Sequence, residues 1–224
     1  METELKLRFL REDGPTRLAD NAWLRGLVMP ESAVTKEMFS IYYDTPDHDL
    51  ESLKASLRVR AEGEARVATI KRGDGFSEAG NGLHQRMEWS VYLDEDEDLE
   101  SCFEHGLDIN WFLRSAVSEG DPDEALRAIL KQLEGKELIE ICRANFVRSS
   151  VDVGYGDTLM ELSVDTGELL AGDKRDVICE MEIELKEGDA RDLVELGDEL
   201  SARMPLEPEA RSKYGRCLAM LGHG

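Results

Sequence analysis

Glu2, Glu4 and Lys6 occupy every second position at the start of the chain, and the same spacing recurs further on. It pairs Arg58 with Arg60, Arg86 with Glu88, Glu161 with Ser163 and Asp165, and Glu180 with Glu182 and Glu184. In an extended strand successive side chains point to opposite faces, so residues at i and i+2 share one face. Each of these segments therefore puts polar or charged groups along a whole face. Arg58, Arg60 and Lys71 are cations, while Glu161, Asp165, Glu180 and Glu182 are carboxylates. The first segment and the Arg86/Glu88 segment carry both signs. Gathered cations bind phosphate oxygens, and a guanidinium can donate two parallel bonds to one phosphate. Gathered carboxylates can hold a metal ion through oxygen alone. Any one such strand alone would read as a solvated face. Six of them, with the signs sorted unevenly, point to a shared charged interior.

The elements that must position these groups follow from the alternation. Leu5, Leu7 and Phe9 oppose Glu4, Lys6 and Arg8; Leu57 and Val59 oppose Arg58 and Arg60; Ile70 opposes Lys71. Met87, Trp89, Val91 and Leu93 oppose Arg86 and Glu88. Leu162 and Val164 oppose Asp165, and Ile178, Met181, Ile183 and Leu185 are assigned to the apolar face of the Glu180–Glu182 strand. Thr16 is expected to cap a helix running to about Leu27, and Asp121-Pro122-Asp123-Glu124 to start one running to about Leu133. Amphipathic helices are expected over 189–203 and 211–221. The Gly-rich stretch from Arg72 to Gly82 reads as a hairpin loop and Asp94 to Glu100 as an acidic surface run. The fold class is α+β: one domain over residues 1–224, an antiparallel sheet with helices outside. If the sheet closes with its apolar faces outward, the charged faces line a lumen where opposite charges must pair.

Composition bounds the function. With 27 Lys and Arg against 49 Asp and Glu, the net charge is −22, which argues against a protein that coats a nucleic acid. The chain is 41% hydrophobic and 34% charged, enough to bury a core. No apolar run approaches the ~18 residues of a membrane span. Met1-Glu2-Thr3-Glu4 is acidic where a signal peptide would be basic. Cys102, Cys142, Cys179 and Cys217 stand far apart without a CxxC pair, which suits reduced thiols in a cytoplasmic protein. His48, His84, His105 and His223 show no metal-ligand spacing and are assigned structural or surface places.

Glu2-x-Glu4-x-Lys6 resembles the ExExK signature of the CYTH family, the triphosphate tunnel metalloenzymes. The resemblance continues in order along nearly the whole chain. Tyr42-Tyr43-Asp44-Thr45-Pro46 and Leu57-Arg58-Val59-Arg60 look like its YYDTP…LRxR; Thr69-Ile70-Lys71 and Arg86-Met87-Glu88 look like its next two charged strands. Asn145-Phe146-Val147-Arg148, Asp165-Thr166-Gly167-Glu168, Glu180-Met181-Glu182 and Ser212-Lys213 complete the series.

The resemblance implies an eight-stranded antiparallel β-barrel whose lumen is a tunnel for a triphosphate. Lys6, Arg58, Arg60, Lys71, Arg86, Arg148 and Lys213 would hold phosphate oxygens, with Arg8 at the mouth. Glu2, Glu4, Asp165, Glu180 and Glu182 would hold Mg²⁺ or Mn²⁺. Glu4, Lys6 and Glu88 would form the catalytic set, with Glu4 or Glu88 positioning the attacking water. Arg148 is preferred to Arg143 on strand parity, and Glu184 is placed at the rim or surface. The substrate implied is a small triphosphate, with neither nucleic acid nor membrane as partner. The YYDTP, NFxR and ICEMEIELKEG stretches look most like bacterial inorganic triphosphatases, some of which carry a C-terminal CHAD domain; the sequence ends soon after Lys213, so such a domain is expected either to be absent or to lie outside the sequence read. Thiamine triphosphatases of the mammalian type place a Trp near the LRxR strand, where this chain has Lys54-Ala55-Ser56. The expected activity is hydrolysis of tripolyphosphate to pyrophosphate and phosphate. The alternatives are an organic triphosphate (thiamine triphosphate hydrolysis or cyclisation of ATP) and a non-catalytic module that binds polyphosphate or a nucleotide.

Overall fold

In the computed structural model the described residues are 2–62, 65–73, 82–93 and 124–223. The strands are β1 (Glu2–Phe9), β2 (Val34–Asp44), β3 (Ala55–Glu62), β4 (Ala65–Arg72), β5 (Leu83–Leu93), β6 (Ile139–Tyr155), β7 (Thr158–Ala171), β8 (Lys174–Glu187) and the short β9 (Leu206–Pro208). Their order is β5-β4-β3-β2-β6-β7-β8-β1, and β5 pairs again with β1. That last pairing, Glu2 opposite Arg86 and Glu4 opposite His84, closes eight antiparallel strands into a barrel, with β9 added along β1. Closure removes the exposed edges that an open sheet would have to protect.

Helices cover the outward apolar faces. α1 (Gly14–Ala19), α2 (Ala22–Arg25) and α5 (Ala190–Arg203) lie over β1, β7 and β8. Leu193, Leu196 and Leu200 of α5 pack with Leu5, Leu7, Leu162 and Ile183. Gly197 makes that approach close, because a Cβ there would run into Leu5. α3 (Asp49–Ser52) and α4 (Glu124–Leu133) cover the other side. There Leu126, Ile129, Leu130 and Leu133 meet Leu57, Val59, Ile70 and Val91.

The helix expected from Thr16 to Leu27 is two short pieces, and Thr16 lies inside the first. Asn21 breaks it: its Oδ1 accepts from the backbone N–H groups of Trp23 and Leu24 at 3.0 and 3.2 Å. That side chain competes with the helical ladder and starts α2. The expected tract over 211–221 is α6 (Lys213–Leu221), capped by Ser212 Oγ accepting from the Gly215 N–H.

α6 closes one end of the barrel. Tyr214 and Cys217 pack with Met38, Tyr42, Cys142, Ala144, Phe146 and Ile178. Ile178 is thus corrected from the outer face: it has the parity of Glu180 and points inward to the apolar base on which α6 sits. Asp44, wholly buried, fixes this end. Its carboxylate accepts from the N–H groups of Thr45, Leu50 and Glu51 at 2.7, 2.8 and 3.0 Å, and from the Tyr214 hydroxyl at 3.2 Å. The Asp-Thr of the YYDTP stretch therefore anchors α3 and α6 and does not enter the lumen.

Arg72–Gly82 begins and ends within the described residues, but 74–81 lie outside them, as do Asp94–Glu100, Cys102, His105 and the start of the Asp121 helix signal. Cys142, Cys179 and Cys217 are free thiols. No described helix is long and apolar enough to cross a membrane.

Candidate functional site: a charged tunnel

The lumen above α6 is a cavity of about 450 Å³ lined by charge of both signs. Glu2, Glu4, Lys6, Arg58, Arg60, Lys71, Arg86, Glu88, Arg148, Glu182 and Lys213 all face it.

On one side the carboxylates converge. Single oxygens of Asp165, Glu180 and Glu182 lie within 4.8 Å of one another. Adjacent strands place them: Asp165 of β7 is opposite Glu180 of β8, and Glu182 is opposite Lys6 of β1. The Lys213 ammonium sits among them, 2.6 Å from Asp165, 3.0 Å from Glu182 and in contact with Glu180. Arg148 spans Asp165 with two bonds of 2.7 Å and also meets Glu182. Lys6 Nζ is 2.8 Å from Glu182, and Arg216 Nη1 is 3.0 Å from Glu180.

Burial would push the carboxyls up, but these cations outweigh it. Lys213 and Arg148 hold Asp165 below the usual range, and Lys213, Lys6 and Arg148 hold Glu182 well below it. Burial likewise opposes charge on Lys6 and Lys213. Glu182 and Glu180 nonetheless raise Lys6, and Asp165, Glu180 and Glu182 raise Lys213.

The opposite wall is cationic and under-compensated. Burial, then repulsion from Arg58 and Arg148, pushes Arg60 down to about 10. Arg60 donates to Ser40 Oγ at 3.0 Å, and its nearest carboxylate is Glu62 at 3.5 Å. The buried Nε atoms of Arg58 and Arg86 have no hydrogen-bond partner among the described residues. Phe146 supports this wall, with Arg60, Arg148 and Lys213 over its ring at 5.4, 5.7 and 4.9 Å. Gly167 lies opposite Phe146, and a Cβ there would strike Asn145 O and Phe146, so the DTGE glycine lets β6 and β7 approach behind the ring.

A third group joins β1, β4 and β5. Lys71 Nζ is 2.7 and 2.6 Å from the two Glu2 oxygens and 2.9 Å from Glu88. Arg86 meets Glu4 directly. Although burial opposes it, Lys71 and then Arg58 hold the Glu88 carboxyl at about 2.

Two sequence-based placements change. Arg8 is exposed and does not face the cavity; β9 draws it outside, where its Nε donates to Glu207 at 2.9 Å. Asp165 and Glu180 do not line the open lumen but sit buried behind it, reached through Lys213. Arg143 lies outside on Glu140, and Arg148 inside.

The sequence reading placed Glu184 at the rim or surface and gave Arg216 no role. Glu184 faces the cavity, opposite Glu4 of β1 and Glu161 of β7. Burial raises its carboxyl, with Glu2 and Glu161 adding to the rise against Lys186. Its parity with Glu182 was the available signal. Arg216 binds Glu180 and Asp176; its signal was the i+3 spacing from Lys213 on an amphipathic helix.

A closed barrel with a cationic wall facing buried carboxylates is a tunnel suited to a polyanion. The CYTH domain matches residues 1–218, and the chain belongs to that family. A curated relative, the inorganic triphosphatase of Haemophilus influenzae, is 28% identical over 175 residues, covering 78% of this chain. The chain spans 43% of that relative's length. Among solved structures, an adenylyl cyclase candidate from Hippeastrum with a dominant triphosphatase activity superposes with TM-score 0.63 at 18% identity, covering 100% of this chain and 97% of the other. An adenylate cyclase candidate from Bacillus halodurans superposes with TM-score 0.55 at 16% identity, covering 96% and 98%. Both share the fold.

Proposed function

We propose that the chain is a metal-dependent triphosphatase whose substrate is inorganic tripolyphosphate, cleaved to pyrophosphate and phosphate in the tunnel. The observation that carries this is the Arg58–Arg60 wall, since Arg148 beside it is already paired with Asp165 and Glu182. Arg58 and Arg148 repel Arg60, and Arg58 Nε has no hydrogen-bond partner among the described residues. A bound phosphate supplies the missing charge and the missing acceptor. The inorganic triphosphatase of Haemophilus influenzae supports the choice of substrate.

The carboxylates fit a divalent cation. Asp165, Glu180 and Glu182 present oxygens within 4.8 Å, with the Lys213 ammonium standing where positive charge is wanted. Glu182 faces the lumen beside them, and Glu2 and Glu4 would supply further oxygens. Mg²⁺ or Mn²⁺ held there would neutralise phosphate oxygens and act as a Lewis acid. Lys6, Lys71, Arg86 and Lys213 would grip the chain of phosphates, while Arg58, Arg60 and Arg148 would stabilise charge developing on the oxygens in transfer. Water attacks the terminal phosphorus in line, the bond to the bridging oxygen breaks, and pyrophosphate leaves with that oxygen. Glu4 keeps the role of positioning the water. Glu88, held at about 2 by Lys71, is a poor proton acceptor at neutral pH. We assign it to positioning Lys71.

The test is phosphate release from tripolyphosphate with Mg²⁺ or Mn²⁺, beside thiamine triphosphate and ATP, with Glu4→Ala as control. Release that needs metal and collapses in Glu4→Ala supports the reading. Binding without turnover of any of them overturns the hydrolase.

A second reading, an organic triphosphate, is favoured by a separate cavity of about 640 Å³ beside α6, partly lined by Tyr214, Leu218 and Ala219. It shares Ser56, Lys71, Arg86, Ser212 and Tyr214 with the tunnel. Faster turnover of an organic triphosphate than of tripolyphosphate would select it.

A further inference from the structure

His48 lies in the turn between β2 and α3, and His223 lies just beyond α6, yet the fold stacks their rings at 4.4 Å with 33° between planes. Glu51 of α3 completes the group. The Nδ1 atoms of His48 and His223 are each 3.3 Å from the same oxygen, Glu51 Oε2. The potential ligand atoms of all three lie within 4.8 Å of one another.

This geometry is not that of a satisfied hydrogen-bond pair. His48 Nδ1 is buried and has no hydrogen-bond partner among the described residues, and a buried nitrogen left so is costly. The backbone of His48 is left-handed, with φ 57°, a conformation unfavourable for a residue with a side chain. It directs the ring toward Glu51 and the C-terminal tail.

We infer that His48, Glu51 and His223 form a binding site for a transition-metal dication of the Zn²⁺ class, separate from the carboxylates of the tunnel. Zn²⁺ takes imidazole nitrogen and carboxylate oxygen at about 2.0–2.2 Å in a tetrahedron, whose edges are then about 3.3–3.6 Å. The two 3.3 Å nitrogen-to-oxygen separations match such edges. Two imidazoles with one carboxylate favour Zn²⁺ over Mg²⁺, which prefers oxygen alone. Three protein ligands leave the fourth position to water. The ion would tie the end of α6 to α3. Glu51 and His223 also line the cavity beside α6, so the bridge would form part of its wall.

The experiment is calorimetric titration of the whole protein with Zn²⁺ at mildly alkaline pH, in excess Mg²⁺ to occupy the tunnel carboxylates. Wild type should bind one Zn²⁺ per chain. His48→Ala and His223→Ala should each weaken binding by at least about tenfold, and the double variant should abolish that event. Glu182→Gln should leave Zn²⁺ affinity unchanged. Melting in EDTA verifies folding, and Zn²⁺ should raise the melting temperature of wild type and not of the double variant. Co²⁺ in place of Zn²⁺ should give visible d–d bands without a sulfur charge-transfer band. Absence of Zn²⁺ binding in wild type, equal affinity in the double variant, or a sulfur band assigning the ion to the cysteines would overturn the site.

Discussion

Lys213→Met should destabilise the metal-free protein severely and make its stability depend on a divalent cation. Lys213 is 4% exposed, and its ammonium contacts Asp165, Glu180 and Glu182, which are 0%, 1% and 8% exposed. Methionine fills similar volume but leaves those carboxylates with Arg148, Lys6 and Arg216 alone. Removing one member of a buried ionic cluster costs about 3–5 kcal/mol. For a chain of this size each kcal/mol lowers the melting temperature by about 2–4 °C, so the expected fall is about 6–20 °C in EDTA. A dication binding only the folded state at 100 times its Kd restores about 2.7 kcal/mol. The assay is thermal melting by circular dichroism in EDTA and in excess Mg²⁺, with Arg175→Met as control. Arg175 is exposed on Glu168 at 3.0 Å, and a surface pair contributes about 0–1 kcal/mol. The Mg²⁺-induced rise should be larger in Lys213→Met than in wild type, because the ammonium no longer competes for the carboxylates. If Lys213→Met melts like wild type in EDTA, or gains no more from Mg²⁺, the assignment of Lys213 as the internal counter-cation is wrong.

Arg58→Met should weaken tripolyphosphate binding about ten- to a hundredfold by calorimetry, the worth of hydrogen bonds to a charged group, while leaving the melting temperature equal or higher, because repulsion on Arg60 is relieved. A melting temperature lowered as far as in Lys213→Met would show that this wall is internally compensated. The pH profile of stability should have two limbs. Depressed Asp165 and Glu182 contribute above their ordinary range near 4 and lose that contribution as pH falls through their lower folded values; raised Lys6 and Lys213 contribute below about 10.4 and lose it as pH rises through their higher ones. Glu88→Gln should therefore flatten the acid limb between about 4.5 and about 2, and an unchanged limb would remove Glu88 from the network. Mg²⁺ and tripolyphosphate should strengthen each other's binding by about 5- to 150-fold; equal anion affinity with and without the cation would refute the shared site.

Reading strands by parity located most of this tunnel, because a buried barrel wall forces alternation. Glu2, Glu4 and Lys6 had to share a face, and so did Arg58 and Arg60, whatever the neighbouring strands. Parity does not say where a face stops being lumen. Arg8 continues the β1 pattern, but β9 runs alongside and draws its side chain out to Glu207. Ile178 continues the β8 pattern one step below Glu180, where the interior becomes apolar to seat α6. Glu184 continues it one step above Glu182, still inside the cavity. Each boundary is set by something non-local: a ninth strand, a terminal helix, or the stagger of neighbouring strands. The same limit explains His48 and His223, which sequence separation keeps apart and the packing of α3 and α6 brings ring to ring. It also explains why Lys213 could be read as a phosphate ligand but not as the ammonium among three carboxylates. Without substrate, a tunnel bearing both signs pairs its own charges, because leaving them bare in a cavity would cost more than folding can supply. Binding a polyanion together with a dication is then an exchange of partners that nearly conserves charge, so each should bind poorly without the other. Arg58 and Arg60 are the place where this internal pairing falls short of the cations present, and there a polyanion would have least to displace.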